Sequence, residues 1–155
     1  PNGDYFECTE AEAEKAFRHR FVVAGAAVRY RSLHPQSVQD IVALDVALRR
    51  NEIDWVEKLP HPLERAVLHK LYYGHFLCHV FHHDYVLRKG EDTDTFEHGI
   101  CTLFDARGAE YPAEHNVGHL YVAKPALAAH YRALDPLNVF NPGVGRLPKH
   151  RAWSP

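Results

Sequence analysis

Leu71 to Leu87 is the stretch that most restricts how this chain can fold. It is dense in Tyr, Phe and Val, side chains that fit a pleated, half-buried surface, so the segment is expected to be strand. It also carries His75, His79, His82 and His83. On a helix the first three would form one stripe, at i, i+4 and i+7, a spacing able to hold a metal on a single face. The aromatic and β-branched neighbours argue for strand instead. On a regular strand His75 and His82 would face opposite sides, so a shared role as ligands requires a bulge or twist, and Gly74 is where one fits. The alternative is a set of half-buried histidines hydrogen-bonded inside a sheet.

The segments on either side read as mixed elements. Asp4 to Cys8 alternates aromatic and polar residues and is expected to be a short strand. Thr9 is a helix N-cap, with Glu10, Glu12 and Glu14 at the positive end of a helix that runs to about Ala24 and stops at Gly25. Ala27 to Leu33 alternates Val28 and Tyr30 against Arg29 and Arg31, a half-buried strand pattern. Ser37 is expected to cap a second helix, with Val38, Ile41, Val42, Leu44, Val46 and Leu48 as its apolar surface and Arg49-Arg50 at its end.

From Asn51 to Pro62 the chain is irregular, and Leu63 to Lys70 starts helical and then extends. Lys89 to Asp92 turns the chain. A helix follows from Thr93 or Asp94 over Phe96, Ile100, Leu103 and Phe104 and closes at Gly108. Pro125 opens a short amphipathic helix over Ala126 to Leu134, and Asn141 to Gly145 is a run of turns. Helices interleave with few strands. The expected class is therefore α+β: an antiparallel sheet flanked by helices.

Composition excludes some functions. The chain has 155 residues, 46% of them hydrophobic, a net charge of -2 and 18 Lys and Arg mixed with 20 Asp and Glu. One domain, or a large piece of one, fits that length. There is no basic field for nucleic acid. Cys8, Cys78 and Cys101 stand far apart in an odd number, which suggests no disulfide framework and a reducing compartment. The longest apolar run, about Phe21 to Val28, falls short of the ~20 residues of a spanning helix. The chain begins Pro1-Asn2-Gly3-Asp4, so a piece of a longer polypeptide is expected. Thirteen histidines are many for this length.

Tyr111 to Tyr121 holds the second candidate for chemistry. Pro112 fixes its own φ and pushes Tyr111 towards extended backbone, so Glu114 and His115 sit on a locally set, non-helical segment, and Gly118 adds a second bend. Neighbours on extended backbone point opposite ways and so take different tasks: Glu114 towards a metal, His115 towards a substrate. The bland alternative is an exposed loop with two polar residues. Two imidazoles and a carboxylate with an open position suit a catalytic Zn²⁺, Mn²⁺ or Fe²⁺.

A set of segments resembles a known family. They include Lys15-Ala16-Phe17 with His19-Arg20-Phe21, Ala24-Gly25-Ala26-Ala27, Leu44-Asp45 with Ala47 to Asn51, and His69 to Phe76. They continue with Val80-Phe81-His82, Tyr111 through Tyr121, and Asn141-Pro142-Gly143. Nearly end to end, the chain resembles the C-terminal, cap and membrane-associated part of the respiratory, FAD-dependent, quinone-linked D-lactate dehydrogenases, of the vanillyl-alcohol-oxidase type. The resemblance implies that residues 1–155 are part of the cap domain, with the FAD-binding domain elsewhere in the polypeptide. It implies FAD, D-lactate, quinone and a membrane surface as partners, and a peripheral position on the cytoplasmic face of the inner membrane.

The same resemblance implies site residues. Gly74-His75, His82 and Glu114-His115 match the motif of related 2-hydroxy-acid dehydrogenases, in which His75, His82 and Glu114 would ligate a divalent metal and His115 would take the hydroxyl proton. Arg20 and Arg29 would hold the substrate carboxylate, Arg29 standing where the relatives have Lys. The relatives also place a glycine-containing turn between the two histidines, and Phe76 to Phe81 contains no glycine. A metal-free site with histidines polarising the hydroxyl is the alternative. No Gly-x-Gly-x-x-Gly turn is present, so the fragment by itself is expected to be catalytically inert.

Competing readings are a non-catalytic membrane-docking module with structural histidines and a self-contained metal-dependent hydrolase. Arg49-Arg50, Arg146, Lys149, His150 and Arg151 could touch anionic headgroups or be solvated ends. His119 is a candidate supporting residue for the Glu-His pair. His19, His34, His61, His69, His98 and His130 read as surface or hydrogen-bonded core positions.

Overall fold

The computed structural model describes residues 3–74, 80–111 and 122–154. Its centre is a three-stranded antiparallel sheet, β1 (Val38–Ala47), β2 (Val67–Gly74) and β3 (Val80–Arg88), in the order β1-β3-β2. The described parts of the histidine-rich stretch thus belong to two antiparallel strands, Gly74 pairing with Phe81, where a single strand with a bulge near Gly74 is expected. His82 and His83 stand on the central strand and, being adjacent, face opposite sides of the sheet.

One face of the sheet carries the main core. Val42, Leu44 and Val46 of β1 and Tyr85 and Leu87 of β3 pack on Phe96, Ile100 and Phe104. These last three lie on helix α4 (Thr93–Ala106), at spacings of four that put them on one side. Asp92 caps α4 by accepting a hydrogen bond from the Thr95 N–H, and the short helix α3 (His61–Ala66) packs beside it. Ala27, Val38 and Val86 make a smaller core on the opposite face. Helix α5 (Pro125–Leu134) and two single 3₁₀ turns, Val144–Arg146 and Arg151–Trp153, complete the described chain.

Three local expectations are corrected. Asp4 to Cys8 forms no strand: these residues are exposed and pair with none of the described strands, and an unpaired extended segment leaves its backbone groups to water. Ala27 to Leu33 is helix α2 (Ala26–Leu33), not strand. Ala27 and Tyr30, three residues apart, reach the second core together, so a helical spacing outweighed the alternation of Val28 and Tyr30 with arginines.

Val38 to Ala47 is strand β1 where a helix from Ser37 to Arg50 is expected. Val42, Leu44, Val46 and Leu48 are buried and recur every second residue, which is the strand period. The same apolar run also fits one side of a helix, and pairing with β3 decided between the two. Arg49-Arg50 consequently follows a strand and ends no helix.

Helix α1 (Glu10–Ala24) forms as expected, with Thr9 and Glu12 in a reciprocal capping box. It buries none of its residues within the described chain, and Phe17, Phe21 and Val22 are each 70% or more exposed. Among the described residues no helix is long and apolar enough to cross a membrane.

Candidate functional site

The face of the sheet that carries the smaller core also holds a pocket of about 460 Å³. Its floor is a row across all three strands, because Asp45 on β1 and Tyr73 on β2 are both register partners of His82 on β3. Asp84, two residues beyond His82 and so on the same face, extends the floor. His19, Arg20, Phe21, Val23 and Ala24 of α1 form the opposite wall. Arg20 on the helix thus shares the pocket with an imidazole and two carboxylates on the sheet.

His82 Nδ1 makes a short contact with Asp45 Oδ1, and both side chains are largely buried. An ionised carboxylate only accepts, so Nδ1 carries the proton of this contact. Burial pushes the Asp84 carboxyl up from its ordinary value; the Tyr73 hydroxyl and His82 oppose this, and the Asp45 charge adds to it. Tyr73 is pushed up to about 12, by burial first and then by the Asp84 charge. The floor is therefore a closely coupled set of acid and base groups.

On the other face, directly behind the pocket, His83 is fully buried. Its Nδ1 lies 3.1 Å from the Tyr85 hydroxyl and 3.4 Å from Glu57 Oε2. Tyr72 donates to Glu57 Oε1 at 2.7 Å. Burial opposes the charge of Glu57, but the bonds from His83 and Tyr72 outweigh it and hold the carboxyl below its ordinary range. His83 is thus a satisfied core histidine at Nδ1, joined to the core by ring contacts with Tyr72 and Phe104.

The structure brings Arg20 and His82 to one pocket. Arg29 is exposed on α2 and lines no part of it; with Ala27 and Tyr30 turned to the sheet, the helix carries Arg29 away. His75, Glu114 and His115, like His79, Cys78 and His119, lie outside the described residues. Their chain neighbours are informative. Gly74 lines the pocket, Ala47 is paired with Val80, and Glu110 exchanges both backbone hydrogen bonds with Ala47 at 2.8 Å. The described chain on either side of 75–79, and on the near side of 112–121, therefore stands at the end of the sheet nearest His82.

Among the described residues no group of three or more His, Cys, Asp or Glu could hold a metal ion. One proposed ligand, His82, is present, and its carboxylate partner is the arrangement that fixes a metal-binding imidazole in tautomer and orientation. The described residues thus supply one candidate ligand and its carboxylate partner, and no complete donor set.

Sequence reasoning left Asp45, Tyr73, Asp84 and Glu57 without roles. The available signal was an acid at Asp45 within an otherwise apolar run, and the His-x-Asp alternation of His82 and Asp84, which puts both on one face of a strand.

The architecture is an α+β unit whose antiparallel sheet and one helix border an open pocket with acid and base groups on its floor. The chain belongs to the family described as D-lactate dehydrogenase, membrane binding, whose model matches residues 1–153. It is 55% identical over 152 residues to a quinone-dependent D-lactate dehydrogenase of Haemophilus influenzae. It is 52% identical over 151 residues to one of Escherichia coli and 41% identical over 152 residues to one of Corynebacterium glutamicum. These matches take in 98%, 97% and 98% of the chain but 27%, 26% and 27% of the relatives, so it spans about a quarter of their length.

Proposed function

We propose that this chain is the substrate-binding and membrane-associated portion of a quinone-dependent D-lactate dehydrogenase. The observation that carries the proposal is the convergence of Arg20 and His82 on one pocket, in a chain whose relatives carry that name. Oxidation of a 2-hydroxy acid to a 2-keto acid removes the hydroxyl proton and the C2 hydride. Arg20 would bind the carboxylate, since its guanidinium stays charged and can bond both oxygens. With Arg29 outside the pocket lining, Arg20 is the cation on the helical wall of the described pocket.

The floor would receive the hydroxyl end. His75, His82 and Glu114 would hold a divalent metal, which lowers the pKa of a bound hydroxyl. His115 would accept the proton, as a neutral imidazole within hydrogen-bonding reach. A flavin held by a domain of the same polypeptide outside this chain would accept the hydride and pass electrons to quinone. Phe21, Val23 and Ala24 close the pocket with apolar surface, which suits a short substrate such as lactate.

Peripheral attachment at the cytoplasmic face of the membrane is part of the same reading. The exposed Phe17 and Val22 of α1 give apolar groups that a bilayer surface can take up. That feature also favours the second reading, a docking module without a catalytic role. Anaerobic mixing of the full-length protein with D-lactate, L-lactate and D-2-hydroxyglutarate, followed by flavin absorbance, separates the two. D-lactate should bleach the flavin. No bleaching by any of the three, with vesicle binding intact, would leave the docking module.

A further inference from the structure

Asp45 is a side chain whose place in the sheet is hard to explain by packing. Its strand is otherwise apolar from Ile41 to Leu48, and its flanking neighbours Leu44 and Val46 belong to the main core on the other face. A carboxylate that is 13% exposed costs free energy unless it is paired. Its partner is His82, directly opposite on the antiparallel neighbour. Directly opposed residues keep their Cβ atoms about 4.5–5.5 Å apart, so the ladder itself sets the approach of carboxylate to ring. Both side chains also line the pocket.

We propose that Asp45 is a positioning residue, holding the His82 ring in its Nδ1–H tautomer and fixing the angle at which Nε2 meets the contents of the pocket. The proposal rests on the dehydrogenase reading and deepens it. Asp45 does not touch substrate; it acts through His82. Two consequences follow from the geometry. A ring carried on the central strand of a hydrogen-bonded sheet sits on a rigid element, as a precise site requires. The carboxylate also makes Nε2 a stronger donor to a metal, or a stronger acceptor from a hydroxyl.

The test uses the full-length enzyme with four variants: Asp45→Ala, Asp45→Asn, His82→Ala and the double variant Asp45→Ala/His82→Ala. Asp40→Asn serves as a strand control, since Asp40 is on β1 and pairs with Arg31 at the surface at 2.7 Å. Mn²⁺ affinity is measured by equilibrium dialysis and D-lactate oxidation by steady-state kinetics. Asp45→Ala should lose about 10–100-fold in Mn²⁺ affinity, with a comparable fall in kcat and little change in KM. Asp45→Asn, whose amide oxygen still accepts from Nδ1–H, should lose less. In the His82→Ala background, Asp45→Ala should cost nothing more.

Wild-type behaviour of Asp45→Ala in both measurements overturns the proposal. So does an equal loss from Asp45→Ala with and without His82, which marks a structural carboxylate. A wild-type enzyme that is not reduced by D-lactate overturns the dehydrogenase reading, and Mn²⁺ affinity then decides the role of Asp45. A wild-type enzyme that takes up no Mn²⁺ overturns the metal site, and the kinetic non-additivity decides instead. Failure of both overturns both.

Discussion

Tyr72 donates its hydroxyl to Glu57 Oε1 at 2.7 Å, behind the sheet face that carries the pocket. Glu57 is 3% exposed, and its other oxygen faces His83. Tyr72→Phe keeps the ring and removes the donor, so a buried carboxylate loses its 2.7 Å hydroxyl partner. The expected cost is about 1–3 kcal/mol, read as a lower urea midpoint at unchanged m-value.

The same carboxylate sets an acid limit on stability. Its pKa when folded lies below the ordinary 4.5, because the bonds from His83 and Tyr72 outweigh the burial that opposes its charge. A depressed carboxyl contributes stability that is present above 4.5 and is lost as pH falls through the folded value. Denaturation midpoints measured from pH 7 downwards should fall below about pH 4.5. Glu57→Gln should flatten that limb, and an unchanged limb would assign acid sensitivity to other groups.

Ile100 sits at the centre of the main core, fully buried between Phe96 and Phe104 on α4. Ile100→Ala should cost about 2–5 kcal/mol through lost burial and a residual cavity. A loss well under that range in chemical denaturation would mean that α4 settles inward on the sheet.

Gly108 follows the end of α4 at a φ of 66°, and the Arg49 guanidinium occupies the space a Cβ would need. This close approach feeds the chain into the Ala47–Glu110 bridge. Gly108→Ala should destabilise by about 1–3 kcal/mol from backbone strain alone. Hydrogen exchange at the Ala47 and Glu110 amides should quicken first.

Arg20 supplies the functional prediction. If its guanidinium binds the substrate carboxylate, Arg20→Ala should lower kcat/KM for D-lactate by about 10–100-fold, the equivalent of a charge-assisted hydrogen-bond pair. Arg20→Lys should recover only part of this, since an ammonium lacks the planar fork. Arg29→Ala in parallel asks whether the exposed cation on α2 takes part; full-length enzyme and initial rates suffice.

Some of this protein is legible in its residues and some is not. Thr9 with Glu12, Asp92 before Thr93, and Pro125 at a helix start are local signals, and all three helices form where these signals fall. Val28 to Tyr30 and Val38 to Val46 each satisfied two periodicities over too few turns to separate them, and both assignments reversed in the fold. The candidate site divides in the same way. His82 and Arg20 carry chemistry recognisable by type and by family pattern, whereas Asp45 gains its meaning from a partner 37 residues away.

The sequence by itself determined the α+β class, the strand character of residues 71–74 and 80–87 and the helices whose caps and apolar faces repeat within a few residues. Those depend on interactions between near neighbours. Only the tertiary structure decided that the apolar run after Ser37 is a strand, that Arg20 and His82 line one pocket while Arg29 does not, and that Asp45 meets the imidazole. Cross-strand register couples residues far apart in the chain, and no local pattern encodes which of them will stand opposite.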